Sequence, residues 1–331
     1  MTSRYQPIPW AQPGWSEQAA GWIGAQLAQR GIAVTGPIEQ PHVRPWSTVL
    51  RVPTDAGDIY FKATTPALAH EPALTQALAR WRPDCIAPLL AADLERGWML
   101  MPDGGATLRS VIRADRDLEH WERLLPIYAG LQIDLAARRD ELLALGVLDR
   151  RLAVLPARYQ ALLADRAALL IDQPDGLTSE EYGRLIELAP QLDALCERLA
   201  GYGLPETLQH DDFHDGNIFI RDGRYIFFDW GESGVGHPFY TLVVTLRSIA
   251  YSLELDEGAA EMARLRDAYL EPWTRYEPRA RLREALGLAL RVGRLCRALT
   301  WHHVVSQLDS PHREENADAV PGWLQLFLET I

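Results

Sequence analysis

The spacing of apolar residues divides the start of the chain into a helix and a hairpin. Residues 15–30 repeat apolar positions three and four apart, with Ser16 as an N-cap and Gly31 as the end, which predicts a helix. Two β-rich runs follow, at residues 48–52 and 58–62. The five residues between them begin with proline and end with glycine, as turns often do, so the two runs predict a β-hairpin.

The next segments continue this mixture of helix and strand. The pattern predicts a helix over residues 66–81 and strands over residues 86–92 and 97–101. The connector Pro102-Asp103-Gly104-Gly105 comes after them. We therefore expect residues 1–103 to form a small lobe of mixed secondary structure.

The rest of the chain, residues 104–331, is predicted to be a second, mainly helical lobe. Helical spacing covers residues 118–145, 149–164, 179–199, 242–253, 258–269 and 278–302. One hairpin interrupts the helices, with strands at residues 218–220 and 225–228 around Asp222-Gly223, a dipeptide typical of tight hairpin turns. The predicted fold class is therefore α+β, with two lobes.

Composition and charge narrow the function classes. The 331 residues carry a formal net charge of −12, which disfavours binding to nucleic acid or to an anionic membrane. No run approaches the roughly 20 apolar residues of a membrane helix. Three widely separated cysteines and a start without an apolar signal core predict a reduced, cytoplasmic protein. We expect it to be a monomer or a homodimer.

Lysine usage is unusual. Of the 33 basic residues, 32 are arginine, and Lys62 is the single lysine. Such a ratio indicates that the coding sequence has drifted from lysine to arginine at every position where either cation can serve. Lys62 is therefore predicted to do something that arginine does not.

The densest group of polar residues lies around the second predicted hairpin. Residues 209–217 read Gln-His-Asp-Asp-Phe-His-Asp-Gly-Asn, and Asp229 follows the hairpin. Because a hairpin brings its two ends together, we expect Asp212, Asn217 and Asp229 to converge. Carboxylate and amide oxygens suit Mg²⁺, which shares its coordination sphere with substrate phosphates. The cluster therefore predicts a nucleotide-dependent phosphoryl transfer.

The sequence of this cluster resembles that of a known family. Residues 210–217 match the catalytic loop H-G-D-x-H-x-x-N of the aminoglycoside phosphotransferase and choline kinase-like family, which shares the protein kinase fold. Asp229-Trp230-Gly231 is similar to the metal-binding D-F-G of kinases. The resemblance implies a bilobal, protein kinase-like fold with a small mixed β-sheet lobe.

The same resemblance implies a role for each polar residue of the cluster. Asp212 would orient and deprotonate the hydroxyl of the acceptor, and Asn217 and Asp229 would bind Mg²⁺ on the phosphates of ATP or GTP. His210 would support the backbone of the loop through a hydrogen bond.

The first lobe would bind the nucleotide. Lys62 ends a hairpin strand ahead of a helix, as the phosphate-neutralising lysine of kinases does, and Glu71 is its expected partner. The proline after Glu71 disfavours helical geometry at the residue before it, so Glu71 is expected at the start of the helix. Backbone groups of Met99, Leu100 or Met101 would pair with the adenine.

The expected phosphate loop departs from the kinase pattern. Kinases carry G-x-G-x-x-G ahead of the lysine, whereas residues 43–48 read Val-Arg-Pro-Trp-Ser-Thr. Phosphate contacts at this place would come from the hydroxyls of Ser47 and Thr48 and from backbone amides.

The acceptor is expected to be a small hydroxylated compound.

Asp211 and Asp215 are predicted to be exposed loop carboxylates. The net charge leans towards a cationic acceptor, as do five carboxylates, namely Asp215, Glu232, Glu254, Asp256 and Glu257.

Two other functions remain open from the sequence. The His-Asp pairs at residues 210–211 and 214–215 are also typical of HD-type metal phosphohydrolases, but there they lie on helices, which Gly216 and the hairpin disfavour. A catalytically inactive, kinase-like nucleotide-binding protein would account for the loop without glycine.

Overall fold

The secondary structure is mainly helical, with three small sheets. The structure, a computed structural model, describes residues 7–256 and 258–330. Over these residues eleven strands are present: β1 (Glu39–Val43), β2 (Ser47–Thr54), β3 (Gly57–Thr64), β4 (Ala91–Asp93), β5 (Trp98–Pro102), β6 (Ala106–Thr107), β7 (Leu148–Arg150), β8 (Thr207–Gln209), β9 (Ile218–Arg221), β10 (Arg224–Phe227) and β11 (Gly234–Gly236).

Fourteen α-helices occupy most of the remaining described residues. They are α1 (Trp15–Ala28), α2 (Glu71–Trp81), α3 (Leu108–Asp115), α4 (Glu119–Leu135), α5 (Arg139–Ala144), α6 (Leu155–Ala164), α7 (Arg166–Leu169), α8 (Ser179–Glu187), α9 (Ala189–Ala200), α10 (Leu242–Leu253), α11 (Ala260–Leu270), α12 (Arg279–Val305), α13 (Ser310–Glu314) and α14 (Ala319–Leu328). Along the described chain, no helix combines the length and apolarity needed to cross a membrane.

The chain divides into two compact units. The first contains residues 7–107, the hairpin at residues 218–231 and a short segment at residues 304–314. The second contains the other described residues, from 108 to 217, from 232 to 303 and from 315 onward. The first unit thus takes in one hairpin and one segment that lie far from residues 1–103 in sequence.

The first unit is built on a five-stranded antiparallel sheet in the order β1-β2-β3-β5-β4. The hairpin expected from the two β-rich runs is confirmed as β2 and β3, which pair from Ser47↔Thr64 to Thr54↔Gly57. One apolar stripe of α1 packs on the sheet and forms its core with Leu50, Val52, Ile59, Phe61, Ala63, Ala91, Trp98 and Leu100. Because side chains alternate along a strand, residues next to these core positions on β3 lie on the opposite face of the sheet.

The start of α1 differs from the expected one. Ser16 does not cap the helix, because its hydroxyl donates to Glu17 Oε2 inside the first turn. The N-cap position belongs to Gly14, whose φ of 80° is in the left-handed region that glycine adopts at little cost. The helix ends at Ala28, three residues before Gly31.

The predicted strand over residues 86–92 is wrong for most of its length. Only its last two residues enter β4 (Ala91–Asp93). Pro88 lies in the middle of this stretch and has no N–H for a strand ladder. Just before the stretch, the carbonyl of Cys85 accepts a hydrogen bond from the Phe227 N–H of the other hairpin at 2.8 Å.

The second unit holds its helices around a small sheet, β7-β11-β8. The helix predicted from residue 149 starts later, at Leu155, because Leu148–Arg150 is the strand β7 and pairs in parallel with β11. Two glycines let β11 lie between its neighbours. A Cβ at Gly236 would lie 2.6 Å from the carbonyl oxygen of Arg150.

The second predicted hairpin is confirmed as β9 and β10. Arg221 pairs with Arg224 across the turn, and Asp222 and Gly223 have φ of 51° and 74°. Positive φ at both central residues is the geometry that Asp-Gly favours. The residues on either side of this hairpin carry the polar cluster.

A buried histidine in the second unit makes the stability of the protein depend on pH. Burial lowers the pKa of His237 from 6.5 to about 3, and its Nδ1 accepts the N–H of Phe239 at 3.3 Å. The unfolded chain binds a proton below pH 6.5 that the folded chain does not bind, so the stability falls as the pH falls. At pH 5 this loss is about 2 kcal/mol.

His237→Asn tests this dependence, because asparagine keeps an acceptor for the same N–H and does not titrate. We expect the free energy of unfolding of the variant to change less between pH 7 and pH 5 than that of the wild type, by about 2 kcal/mol. Denaturant titrations at the two pH values measure the difference. An identical pH dependence in both proteins would contradict the prediction.

Candidate active site

A buried lysine in the first unit contacts two carboxylates. The Nζ of Lys62 lies 2.7 Å from Oε1 of Glu71 and 2.6 Å from Oδ1 of Asp229. The Lys62 side chain is only 8% exposed and that of Glu71 is fully buried, whereas that of Asp229 is 44% exposed. The structure therefore brings together three of the residues that the sequence singled out, although 167 positions separate Lys62 from Asp229.

Local structure explains the position of each side chain. Lys62 pairs with Val49 on one side and Met99 on the other, and alternation along β3 directs it away from the core face that holds Phe61 and Ala63. Glu71 is the first residue of α2, as the following proline predicts, and this end of a helix favours negative charge.

The charges of this cluster support one another. Burial alone would lower the pKa of the Lys62 ammonium, but the carboxylates of Asp229 and Glu71 raise it above its ordinary value. Burial also raises the pKa of Glu71, against the opposing effect of Lys62. Lys62 is therefore charged although its side chain is almost completely buried.

The backbone at Asp229 is strained. Its φ is 66°, in the left-handed region that residues other than glycine seldom adopt. Such conformations cost roughly 1–3 kcal/mol and are concentrated at functional sites. The conformation holds a half-exposed carboxylate beside Lys62.

The second unit contains the loop predicted to be catalytic. Asn217 Nδ2 donates to the backbone carbonyl of Asp212 at 2.9 Å. The N–H of Asp212 donates to His210 Nδ1 at 3.2 Å, and the N–H of His210 donates to the hydroxyl of Tyr128 at 2.9 Å. His210 is fully buried, so these bonds fix the backbone ahead of Asp212.

An arginine that the sequence did not single out binds this loop. Arg297, on α12, donates from Nη2 to Asp212 Oδ1 at 3.0 Å and lies 3.5 Å from Asp211 Oδ2 through Nη1. The same Nη1 contacts Glu232. Although burial would raise it, Arg297 and then His214 hold the pKa of Asp212 below its usual range. An arginine inside a run of apolar helix positions was the available signal.

The predicted exposure of Asp211 and Asp215 is wrong. Both are buried, at 2% and 1% exposure. Arg297 compensates the charge of Asp211, whereas Asp215 accepts from Arg109 Nε at 2.8 Å and from the Ser252 hydroxyl at 3.0 Å. Arg109 lies on α3, a helix that the apolar spacing did not predict.

The residues expected near the phosphates and the adenine have different surroundings. The Thr48 hydroxyl is buried, donates to the His42 carbonyl at 2.9 Å and accepts from Gln40 at 2.8 Å, so the sheet already uses it. Ser47 is also buried, and its carbonyl accepts the N–H of Arg44 at 2.8 Å, which closes the turn between β1 and β2.

Met99 and Met101, the two methionines expected near the adenine, differ in how their backbones are paired in the sheet. Met99 is paired on both sides, with Lys62 of β3 and Ala92 of β4, so its backbone lies inside the sheet and not at an edge. Met101 pairs with Tyr60 of β3, one residue beyond the last pair of β4 with β5, Ala91↔Leu100. Met101 therefore lies beyond the residues of β5 that pair with β4.

A metal centre made of protein side chains alone is not present in the part of the chain that the structure describes. There, no group of three or more His, Cys, Asp or Glu residues is placed to hold a metal ion. Residues 210–217 are also a loop ending in a 3-10 turn (Asp215–Asn217) and not an α-helix. The loop geometry disfavours the HD-type phosphohydrolase, in which the His-Asp pairs lie on helices.

Comparison with protein families identifies the family of the chain. The family model described as "Phosphotransferase enzyme family" matches residues 40–283, which include every residue of the two clusters except Arg297. The chain belongs to this family. The resemblance seen in residues 210–217 and 229–231 is thereby confirmed, and membership of this family supports a small-molecule kinase. Among curated proteins, none matches the sequence.

Solved structures show the fold of this phosphotransferase. It is similar to ethanolamine kinase from Plasmodium vivax, with 11% identity and a TM-score of 0.63 over 97% of this chain and 91% of the other. It is similar to a choline/ethanolamine kinase family protein from Mesorhizobium loti, with 17% identity and a TM-score of 0.61 over 95% of each chain. A third is amicoumacin kinase in complex with AMP-PNP and Ca²⁺, at 13% identity, a TM-score of 0.51 and coverage of 94% and 99%. The α+β, bilobal, protein kinase-like fold is thereby confirmed.

Proposed function

We propose that this phosphotransferase moves the γ-phosphoryl group of ATP or GTP, with Mg²⁺, to a hydroxyl of a small molecule. The observation that carries the proposal is the buried contact of Lys62 with Glu71 and Asp229. Burial of the Lys62 ammonium against the fully buried Glu71 carboxylate requires the costly desolvation of both groups, which a protein seldom retains unless the charge is used.

Lys62 is the residue we assign to the phosphates. Its ammonium is a compact point charge with three donors, and Glu71 uses one of them. Asp229 is the more exposed of its two partners, so a phosphate oxygen can approach the ammonium from that side. The nucleotide complex of amicoumacin kinase supports a nucleotide as the donor.

Asn217 and Asp229 have the chemistry that Mg²⁺ needs. Mg²⁺ takes hard oxygen ligands, usually one or two from the protein, and completes its shell with water and phosphate oxygens. The Asn217 amide donates through Nδ2 to the Asp212 carbonyl, so Oδ1 is the atom that can bind a metal. When bound, Mg²⁺ neutralises the charge that develops on the phosphates.

Asp212 is the residue we assign to the acceptor hydroxyl. Its carboxylate is 28% exposed, while its backbone is fixed by His210 and Asn217. Because the pKa of Asp212 is low, it is ionised and accepts a hydrogen bond from the hydroxyl, and it takes the proton as the phosphoryl group arrives. His210 supports the loop and takes no part in proton transfer.

Two of the five carboxylates that favoured a cationic acceptor are neutralised inside the protein, since Asp215 pairs with Arg109 and Glu232 with Arg297. Glu254 lies 3.4 Å from Arg116 in an exposed pair, Asp256 is exposed, and Glu257 lies outside the described residues. Because only part of this negative charge is free, a panel of acceptors must include neutral alcohols and sugars beside cationic compounds.

A coupled assay of ADP release tests the proposal. We expect the wild-type protein to release ADP from ATP faster with at least one member of a panel of amino alcohols, aminoglycosides, sugars and polyols, and to lose this activity when EDTA removes Mg²⁺. The Asp212→Asn variant sets the background rate. Binding of ATP without acceptor-dependent release for any compound would instead support the catalytically inactive alternative.

A further inference from the structure

Arg297 connects α12 to the catalytic loop across 85 positions of sequence. Its side chain is 6% exposed, and its two terminal nitrogens bind different carboxylates. Nη2 binds Asp212, and Nη1 binds Glu232 and approaches Asp211. A single buried guanidinium thus stands among three carboxylates.

We propose that Arg297 is a positioning residue that fixes the orientation of the Asp212 carboxylate towards the acceptor hydroxyl. This inference rests on the proposed function, because it needs Asp212 to act on the acceptor. It adds a residue of the second unit, outside the family match, to the machinery of phosphoryl transfer.

Both oxygens of Asp212 are held, and this limits the rotation of the carboxylate. Oδ1 accepts from Arg297 at 3.0 Å. Oδ2 lies 3.3 Å from His214 Nε2 and 3.5 Å from Asn217 Nδ2. The contact with Arg297 is the shortest of these, and it is the one made by a permanent charge. Without Arg297, Oδ1 would have lost this contact. The orientation of the carboxylate would then depend only on the longer contacts of Oδ2 with His214 and Asn217.

The arrangement needs a guanidinium and not merely a positive charge. Arginine presents its donors in a planar fork, so that one nitrogen can bind Asp212 while the other binds Glu232. A lysine at the same place has one nitrogen on a flexible stem and cannot repeat both contacts with the same geometry.

Asp211 is a feature of this chain that helps to hold Arg297 in place. The family pattern has glycine at this position of the catalytic loop, whereas here an aspartate is buried at 2% exposure. Its Oδ2 lies 3.5 Å from Arg297 Nη1. An aspartate in so dry a place requires a compensating cation, which Arg297 supplies. Asp211 and Glu232 thus anchor the guanidinium that holds Asp212.

Arg297→Lys tests the inference, with Arg291→Lys as the matched control on an exposed position of the same helix. We expect kcat of Arg297→Lys to fall about 10²-fold, as for a misplacement of roughly 1 Å. KM for the nucleotide should stay at the wild-type value, because Lys62, Glu71 and Asp229 are unchanged. The control should keep both constants.

Chemical rescue separates positioning from a general loss of structure. We expect methylguanidinium to restore part of kcat to Arg297→Ala without a change in its melting temperature, whereas methylammonium at the same concentration does not. If Arg297→Ala does not fold, Arg297→Lys alone decides.

Two results would overturn the inference alone: wild-type kcat in Arg297→Lys, or a loss of kcat that equals the loss of folded protein. A wild-type protein that phosphorylates no acceptor at all would overturn the proposed function, and this inference with it.

Discussion

We expect Asp212→Asn to abolish most phosphoryl transfer and to leave nucleotide affinity near that of the wild type. The variant keeps the shape of the side chain and an oxygen that can accept from Arg297, so the loop should fold as before. It loses the group that accepts the proton of the acceptor. Positioned base catalysis contributes roughly 10²–10⁴-fold, and we expect kcat to fall by about this factor.

Asp229→Asn is the matched variant for this experiment. It also neutralises one carboxylate, but in the first unit, where the carboxylate contacts Lys62 and is our proposed ligand of Mg²⁺. We expect it to weaken binding of the Mg²⁺-nucleotide complex, measured by calorimetry or by the thermal shift with ATP. Equal losses of nucleotide affinity in the two variants would refute the separate roles that we assign to Asp212 and Asp229.

Lys62→Arg is expected to lose most phosphoryl transfer although it conserves the charge. Lys62 lies at 2.6–2.7 Å from two carboxylates in a buried site, and a guanidinium is broader and demands a planar fork. Overpacking of this kind costs roughly 1–3 kcal/mol, so the variant should fold with a lower melting temperature. Displacement of the phosphates by roughly 1 Å would lower the rate about 10²-fold.

Arg51→Lys is the control for Lys62→Arg. Arg51 lies on the neighbouring strand β2, is 37% exposed and pairs with Glu39 and Asp58 at the surface. Exposed ion pairs of this type contribute little, so turnover and melting temperature should hardly change. If Lys62→Arg turned over at the wild-type rate, the single lysine would be an accident of drift toward arginine.

Features that depend on neighbouring residues were predictable from the sequence. The two hairpins followed from β-rich runs and their turn residues, and the start of α2 at Glu71 followed from the proline behind it. The catalytic-loop pattern at residues 210–217 identified the family because its residues are adjacent in the chain. The roles of these residues remain predictions until the variants are measured.

Errors arose where a partner distant in sequence replaced the local preference. All five residues of strand β1 are exposed, so the spacing of apolar residues did not predict a strand there. The strand forms because its backbone pairs with β2. Residues 86–90 have the composition of a strand, yet the nearby Cys85 carbonyl binds the N–H of Phe227 in the other hairpin. The error at Ser16 has a local cause instead, because Gly14, two residues earlier, adopts the left-handed geometry that starts α1.

The amino-acid sequence was enough to identify the family, the loop that carries the polar cluster and the unusual place of the single lysine. The pairing of charges became visible only in the folded chain. Folding buried Asp211 and Asp215, brought Lys62 against Asp229 and placed Arg297 on Asp212. The physical reason is that the ionisation and burial of a carboxylate depend on the cations around it, and these come from helices and strands tens of residues away. A pattern along the chain records which residues are neighbours in sequence, but not which charges neutralise each other after folding.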